Sequence, residues 1–249
     1  MKLLDRLRKR KDGETRTLCS VIIVAAGRAS RMEGIDKILC PMANEPLLLH
    51  TLRPFQESDE VDEIIIVTSE DRMVEIGALC SNRGFSKVKR IVKGGDTRTQ
   101  SVQAGLRETD KTAGIIAIHD GARPFVTVAI LEDTIRIART RGAAAPAIPV
   151  KDTIKQIDAS GRILSTPDRS SLYAAQTPQV FSAESYRLAV KKADAAGRDF
   201  TDDCQLLEYA GVPVQMVKGS YDNIKITTPE DLAAAAAFLA YQKERGESE

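Results

Sequence analysis

Short, continuous apolar runs alternate with segments of helical period along most of this chain. SVIIVAA and EIIIVTS are runs of the kind found in strands that are covered on both faces. Between such runs, EPLLLHTLRPFQES and TVAILEDTIRIARTRG place apolar residues at helical spacing. Repeated strand–helix units of this type predict an α/β fold with a doubly wound, mostly parallel sheet.

One segment, 151–168, interrupts this alternation. Two short strand-like stretches flank an Asp-Ala-Ser-Gly turn there, which predicts a β-hairpin. Because a hairpin has no obvious place among parallel units, we expect it to project as an arm that needs a partner. After the arm, we expect short strands over VPVQMVKG and NIKIT and a helix capped by Thr201 in TDDCQLLEYAG.

Composition excludes several classes of protein. Lys+Arg 36 nearly balances Asp+Glu 35 and aromatic residues make up only 4%, so nucleic acid is not an expected partner. No apolar run approaches the ~20 residues that span a bilayer, so no membrane contact is expected. The four cysteines are far apart, as in reduced cytoplasmic proteins. We expect one cytoplasmic domain over residues 18–245, preceded by a basic, poorly ordered extension over 1–17.

The loop AAGRASRM follows the first buried strand and has the composition of a phosphate-binding turn. It is neither a P-loop nor a dinucleotide fingerprint, because Ala29 and Met32 occupy the later glycine positions. Small residues around Gly27 let backbone N–H groups approach phosphate oxygens, and Arg31 and Lys37 add positive charge. Taken alone, the stretch is equally compatible with a solvated loop.

Other candidate residues also follow strands or lie in turns. In HDGARP, Asp120 stands where a carboxylate can hold a divalent cation on phosphates, and Arg123 where a guanidinium can bind an anion. The alternative for Asp120 is an ordinary turn residue before glycine. Arg169 and Lys225, considered singly, fit surface positions as well as a site.

In order along the chain, these motifs resemble those of the 2-C-methyl-D-erythritol 4-phosphate cytidylyltransferase family, from about residue 18 to residue 240. The motifs are AAGRASRM, DK, GGDTRTQSV, HDGARPF, PVKDTIK, TPDRSSLYAAQTPQVF, TDDCQLLEYAG and GSYDNIKITTPEDL. The resemblance implies a Rossmann-like nucleotidyltransferase fold, a homodimer formed through the arm, and Mg²⁺ as cofactor. It also implies that CTP and a polyol phosphate, 2-C-methyl-D-erythritol 4-phosphate, give 4-(cytidine 5'-diphospho)-2-C-methyl-D-erythritol and pyrophosphate, a step toward isoprenoid precursors by the non-mevalonate route.

The resemblance further implies roles for individual residues. Arg31 and Lys37 would stabilise the transition state on the CTP phosphates, and Arg169 and Lys225 would orient the attacking phosphate. Asp120 would position Mg²⁺. The nucleotide-binding candidates are Ala25, Ala26, Gly27, Arg31, Lys37, Gly94, Gly95, Asp96 and Ser101. The substrate-binding candidates are Arg123, Arg169, Thr177, Thr201, Asp222 and Lys225.

Two residues depart from the family pattern, and two other functions stay open. Ala29 stands where the family usually has Gly, and Asp36 where it often has Pro. A cytidylyltransferase acting on ribitol 5-phosphate has similar loops, although Ala-Ala-Gly, DTIK and NIKITTPEDL favour methylerythritol phosphate. The alternative from another class is a nucleotide-binding regulatory protein without turnover. Cations for both the nucleotide and the acceptor argue against it.

Overall fold

A computed structural model of the chain describes residues 7–9, 15–27 and 36–244. The strands are β1 (Leu7–Lys9), β2 (Thr15–Thr17), β3 (Cys19–Val24), β4 (Pro41–Met42), β5 (Glu45–Pro46), β6 (Glu63–Thr68), β7 (Val88–Lys93), β8 (Ile115–Asp120), β9 (Ala143–Pro149), β10 (Gln156–Ile157), β11 (Ile163–Ser165), β12 (Tyr173–Ala175), β13 (Gln179–Ser182) and β14 (Gln215–Lys218). The helices are α1 (Leu47–Glu57), α2 (Met73–Asn82), α3 (Arg98–Glu108), α4 (Val128–Arg141), α5 (Ala183–Ala195), α6 (Asp203–Ala210) and α7 (Pro229–Glu244).

A central sheet of eight strands organises the molecule. Its order is β12-β9-β13-β8-β3-β6-β7, and β14 pairs beside β9. Strands β8, β3, β6 and β7 are parallel, with Ile22 of β3 in register with Ile65 of β6 and Ile118 of β8. Strand β13 runs antiparallel between β8 and β9. The predicted α/β fold with a mostly parallel sheet is therefore confirmed.

Hydrophobic residues pack on both faces of this sheet. Alternate residues of β3 point to opposite sides, so Val21 and Ile23 join one core cluster and Ile22 joins the other. Helices α1 and α4 cover the first face, and α3 and α5 cover the second. Burial on both faces explains why β3 is a continuous apolar run.

The polypeptide between β9 and β12 forms the predicted hairpin. Gln156 pairs with Ser165 and Ile157 with Ile163 in an antiparallel ladder, and a turn around Gly161 joins the two strands. The side chains of Ile157, Ile163 and Leu164 are all more than half exposed. The hairpin therefore presents apolar residues to its surroundings.

Two local predictions are wrong. Residues 223–227 (NIKIT) form no strand, because their backbone bonds to loops instead: the N–H of Ile226 donates to Ala122 O at 2.8 Å. The N-cap of α6 is Asp202 rather than Thr201, since the Asp202 carboxylate accepts from the Gln205 N–H at 2.8 Å.

Part of the predicted extension over 1–17 lies within the described residues. Strands β1 and β2 pair antiparallel, and the Arg16 guanidinium contacts the Asp62 carboxylate at 2.6 Å. Arg16 therefore anchors this segment to the loop that precedes β6. Within the described ranges, none of the helices combines the length and the apolar composition needed to cross a membrane.

Candidate active site

A cleft of about 700 Å³ opens at the carboxyl ends of β3, β6, β7 and β8. In doubly wound sheets this edge is where ligands bind, because the strand-to-helix loops of neighbouring strands meet there. Ten of the residues predicted from sequence line it together. They are Ala25, Ala26, Gly27, Lys37, Gly94, Gly95, Asp96, Ser101, Asp120 and Lys225.

One wall of the cleft consists of two close backbone turns. Ala26, after β3, lies directly against Gly94, after β7: a side chain at position 94 would place its Cβ 2.4 Å from the Cβ of Ala26. Position 94 therefore requires glycine, because Ala26 approaches too closely for a side chain to fit there. Gly27 follows at the cleft margin, with open space around its Cα.

The turn at 95–97 satisfies its own backbone donors. The N–H of Gly95 donates to the Ser101 hydroxyl at 3.1 Å, and the Asp96 N–H donates to the Gln100 side-chain oxygen at 2.8 Å. Thr97 and Gln100 complete a capping box at the start of α3. The turn is thus rigid, and its donors are already used.

Asp120, at the end of β8, lies at the centre of a cluster of cations. The Lys225 ammonium is 2.9 Å from its carboxylate, the Arg123 Nε is 3.6 Å away and the Arg98 Nε is 3.9 Å away. Burial raises the pKa of Asp120, but the three cations outweigh it and lower this pKa to about 2. Asp120 is therefore an anion at every physiological pH.

Arg98 links Asp120 to a second buried carboxylate. Its Nη1 lies 2.7 Å from Asp203 Oδ2, and Asp203 also accepts from the Tyr186 hydroxyl at 2.5 Å. Burial lowers the pKa of Arg98, but the carboxylates of Asp203 and Asp120 more than compensate and raise it. Burial beside Asp203 raises the pKa of Tyr186 well above its usual value. Arg98 is therefore a permanent cation on the cleft wall.

The charges of this cluster do not cancel. Three cations face two carboxylates, which leaves an excess of one positive charge, and the other charged side chains that line the cleft, Lys37, Lys93, Glu70 and Asp96, add two charges of each sign. A cleft with a positive excess and partly buried walls attracts polyanions such as phosphates.

Behind Asp120, hydrogen bonds fix the loop that holds Lys225. The Gln176 amide donates to Ser220 O at 2.7 Å, and the buried Asn223 amide donates to Thr177 O at 3.0 Å. Arg123 donates to Asn223 O at 2.8 Å. These bonds hold the loop against the turn that follows β8. The position of Lys225 is therefore fixed, although the loop has no regular secondary structure.

Thr177 belongs to the same buried layer. Its hydroxyl accepts from the Asp120 N–H at 3.2 Å and contacts His119 Nδ1 at 2.9 Å. His119 Nε2 faces Arg123 O at 3.2 Å, and burial lowers the pKa of His119 to about 4. The imidazole is therefore neutral at physiological pH and engaged at both nitrogens.

Several predicted residues lie away from the cleft in this chain. Arg169 is at the base of the hairpin, where it donates to Lys151 O at 2.7 Å. Thr201 is exposed and bonds to Gln205, and Asp222 is exposed and accepts from Ser220. Arg31 falls outside the described residues.

Sequence reasoning missed Arg98, Asp203 and Tyr186. Their side chains lie on α3, α6 and α5, and only the tertiary fold brings them together. One available signal was the position of Arg98 directly after the glycine turn GGDT, because the first turn of a helix that follows a parallel strand points to the ligand edge.

The donor set around Asp120 fits Mg²⁺ only if a ligand supplies further oxygens. Among the described residues, no group of three or more His, Cys, Asp or Glu side chains could hold a metal ion by itself. Mg²⁺ commonly binds one or two carboxylates together with substrate phosphates and waters. The ionised Asp120 on the cleft wall is a carboxylate of this kind, and substrate phosphates and waters would have to supply the other oxygens.

Comparisons with known proteins agree on one family. A family model described as 2-C-methyl-D-erythritol 4-phosphate cytidylyltransferase matches residues 19–241. A protein of that name from Caldanaerobacter subterraneus subsp. tengcongensis is 45% identical over 222 residues, which cover 88% of this chain and 98% of the relative. One from Alkaliphilus metalliredigens is 40% identical over 228 residues, 90% of this chain and 94% of that protein.

Solved structures give the same result. The crystal structure of 4-diphosphocytidyl-2C-methyl-D-erythritol synthase from Anaerococcus prevotii superposes with a TM-score of 0.81 at 33% identity, covering 90% of this chain and 98% of that one. The Thermus thermophilus cytidylyltransferase structure gives 0.72 at 28% identity, covering 88% and 98%. The chain belongs to the 2-C-methyl-D-erythritol 4-phosphate cytidylyltransferase family of nucleotidyltransferases.

Proposed function

We propose that this enzyme transfers the cytidylyl group of CTP to 2-C-methyl-D-erythritol 4-phosphate. The products are 4-(cytidine 5'-diphospho)-2-C-methyl-D-erythritol and pyrophosphate. The observation that supports this best is the excess of positive charge in the cluster around Asp120, in a cleft that Lys37 also lines. Two phosphate-bearing substrates can meet in this cleft.

The chemistry requires positioning and charge neutralisation rather than a base. An oxygen of the acceptor phosphate attacks the α-phosphorus of CTP, and the bond from that phosphorus to the bridging oxygen breaks as pyrophosphate leaves with the electron pair. The attacking oxygen has no proton to lose, so the engaged, neutral His119 has no part in the step. Fixed cations that face the developing charge lower the barrier.

On the nucleotide side, the turn at 95–97 suits cytosine. Because the N–H groups of Gly95 and Asp96 donate within the turn, and the carbonyl oxygens of Gly95 and Thr97 accept from Ser101, the Asp96 carbonyl is the acceptor that the described turn leaves for a base. Carbonyl oxygens accept from the exocyclic amine of cytosine and are mismatched to the carbonyl of uracil. Gly27 leaves room for the triphosphate, and Lys37 would supply a cation there, a role that the family resemblance also implies for Arg31.

Asp120 would hold Mg²⁺ together with the phosphates of CTP. The bound ion supplies additional neutralisation of charge on the α-phosphate and the departing pyrophosphate. Before CTP binds, Lys225 stands 2.9 Å from the same carboxylate, so the ammonium holds Asp120 ionised and oriented. Lys225 and Arg123, beside Asp120, would bind the phosphate of the acceptor.

The acceptor side also explains the position of Arg169. Arg169 lies at the base of the arm and donates to Lys151 O, so a second subunit that receives the arm would receive this cation as well. We therefore include a homodimer, with the arm completing the neighbour's site, in the proposal. Reduced thiols at all four cysteines suit a cytoplasmic location.

Loss of the apolar surface of the arm is expected to convert the dimer into a monomer. Ile157→Asp with Leu164→Asp places two charges on side chains that are 56% and 60% exposed in the single chain. Burying unpaired charges opposes association strongly. Analytical ultracentrifugation should show a monomer, with turnover reduced.

The control is Val74→Asp, on the 85% exposed position of α2, which should remain dimeric. Persistence of the dimer in the double variant would exclude the arm as the interface.

Pyrophosphate release tests the proposed reaction. The protein is incubated with CTP, Mg²⁺ and either 2-C-methyl-D-erythritol 4-phosphate or ribitol 5-phosphate, and release is followed with each acceptor. We expect the methylerythritol substrate to react faster. Faster release with ribitol 5-phosphate would assign the enzyme to the other acceptor. CTP binding by calorimetry without release from either would support a regulatory protein instead.

A further inference from the structure

Lys37 begins a turn whose downstream end is firmly held. The N–H of Cys40 donates to Asp36 O at 2.8 Å, and the N–H of Leu48 donates to Ile38 O at 3.0 Å. The side chain of Ile38 is buried in the core. The backbone at Lys37 is therefore held by the residues that follow it. On the N-terminal side, its position depends on the contacts of the preceding residue.

That preceding residue, Asp36, uses both oxygens of its carboxylate for structural contacts. Oδ1 accepts from the Ile38 N–H at 3.1 Å, which closes a tight turn around Lys37. Oδ2 lies 2.5 Å from Nε of Arg72. Both side chains are mostly shielded, with 32% of Asp36 and 15% of Arg72 exposed. The contact is therefore a partly buried ion pair, and the geometry at Arg72 Nε does not make it a hydrogen bond.

Arg72 comes from a different strand loop. It ends the 3₁₀ turn Glu70–Arg72, which follows β6 after one residue. Ser69 and Glu70 of the same loop line the cleft. The Asp36–Arg72 pair thus joins the loop after β3 to the loop after the adjacent strand β6. It connects the turn that bears Lys37 to the frame of the sheet.

We propose that Asp36 and Arg72 are positioning residues that hold the Lys37 ammonium in its place on the CTP phosphates. This inference rests on the proposed function of Lys37. Loss of Arg72 and loss of Asp36 are expected to change the charge near the triphosphate in different ways. A lone Asp36 carboxylate beside the triphosphate would repel it, whereas the pair with Arg72 has no net charge and keeps the loop compatible with a polyanion.

The test is a double-mutant cycle with Asp36→Asn and Arg72→Gln. Each variant breaks the ion pair while it keeps a side chain of similar size. We expect each to lower kcat about 10-fold, since a reacting group displaced by a fraction of an ångström loses one to two orders of magnitude. Arg72→Gln should also raise the KM for CTP, because it leaves the Asp36 charge unpaired. The double variant should resemble Asp36→Asn rather than show the product of both effects.

Three readouts separate positioning from a general loss of structure. The KM for the acceptor should stay at the wild-type value in all three variants, circular dichroism should show the wild-type fold at the assay temperature, and CTP binding by calorimetry should weaken only in Arg72→Gln. The matched control is Arg53→Gln, which breaks a 2.6 Å pair with Glu45. That pair joins α1 to β5, neither residue lines the cleft, and the variant should keep wild-type kcat and KM.

The outcomes of this experiment distinguish failure of the inference from failure of the proposed function. Wild-type kcat in both single variants, multiplicative effects in the double variant, or an equal rise in the acceptor KM would each overturn the inference while leaving the proposed function intact. Absence of turnover in the wild-type protein itself would instead overturn the proposed function.

Discussion

Lys37→Ala should lower kcat by about 10²-fold or more, which is the usual cost of removing one preorganised electrostatic group from an active site. Lys37 lines the same cleft as Asp120, and in the proposed reaction it stabilises the charge that accumulates on the α-phosphate and on pyrophosphate as the cytidylyl group is transferred. Because the interaction strengthens as that charge develops, kcat should fall more than CTP affinity. Steady-state assays of pyrophosphate release at saturating acceptor measure both parameters.

A matched lysine outside the cleft provides the control. Lys89, on the edge strand β7, donates to Ser86 O at 2.8 Å and faces away from the nucleotide turns. Lys89→Ala should keep the wild-type kcat. For Arg31→Ala the family resemblance implies a loss of the same order as for Lys37→Ala. Near-wild-type turnover in Lys37→Ala would mean that another cation stabilises the transition state.

Arg98→Ala should destabilise the fold by about 3 kcal/mol, because it leaves the buried Asp203 carboxylate without its cation. The exposed fraction of the Asp203 side chain is only 6%, so water cannot replace the lost partner. Urea denaturation followed by circular dichroism measures the change in the free energy of unfolding. The variant should also lose turnover, since Arg98 supports Asp120 from one side.

Two further variants identify the cause of this loss. Arg98→Ala combined with Asp203→Asn removes the buried charge as well and should recover part of the stability. Arg136→Ala removes the exposed pair with Asp133 and should change stability by less than about 0.5 kcal/mol. Equal losses in Arg98→Ala and Arg136→Ala would show that the buried pair contributes nothing beyond a surface contact.

The sequence predicts the central sheet and its flanking helices well, because local patterns of apolar residues and helix caps determine them. The apolar runs at β3, β6 and β8 are buried on both faces, and Gly84 follows α2 with φ +73°, as a left-handed cap requires. Loops that follow parallel strands must meet at one edge, so Gly27, Gly94 and Asp120 could be expected to lie together.

Other features depend on contacts that local patterns do not contain. Alternation in NIKIT resembles a strand, but no strand among the described residues pairs with it, and hydrogen bonds of its backbone to Gln176 and Ala122 hold it as a loop instead. Thr201 and Asp202 are both good caps, and the carboxylate of Asp202 is the one that reaches the helix N–H. The Arg98–Asp203 pair joins residues more than a hundred positions apart, which no spacing rule indicates.

A crystal structure with a non-hydrolysable CTP analogue and Mg²⁺ tests the charge-stabilisation account most directly. The account predicts the triphosphate in the cleft, with the Lys37 ammonium about 3 Å from phosphate oxygens and the Asp120 carboxylate directed at the metal. A triphosphate bound with Lys37 and the Asp120 cluster beyond hydrogen-bonding reach would contradict it.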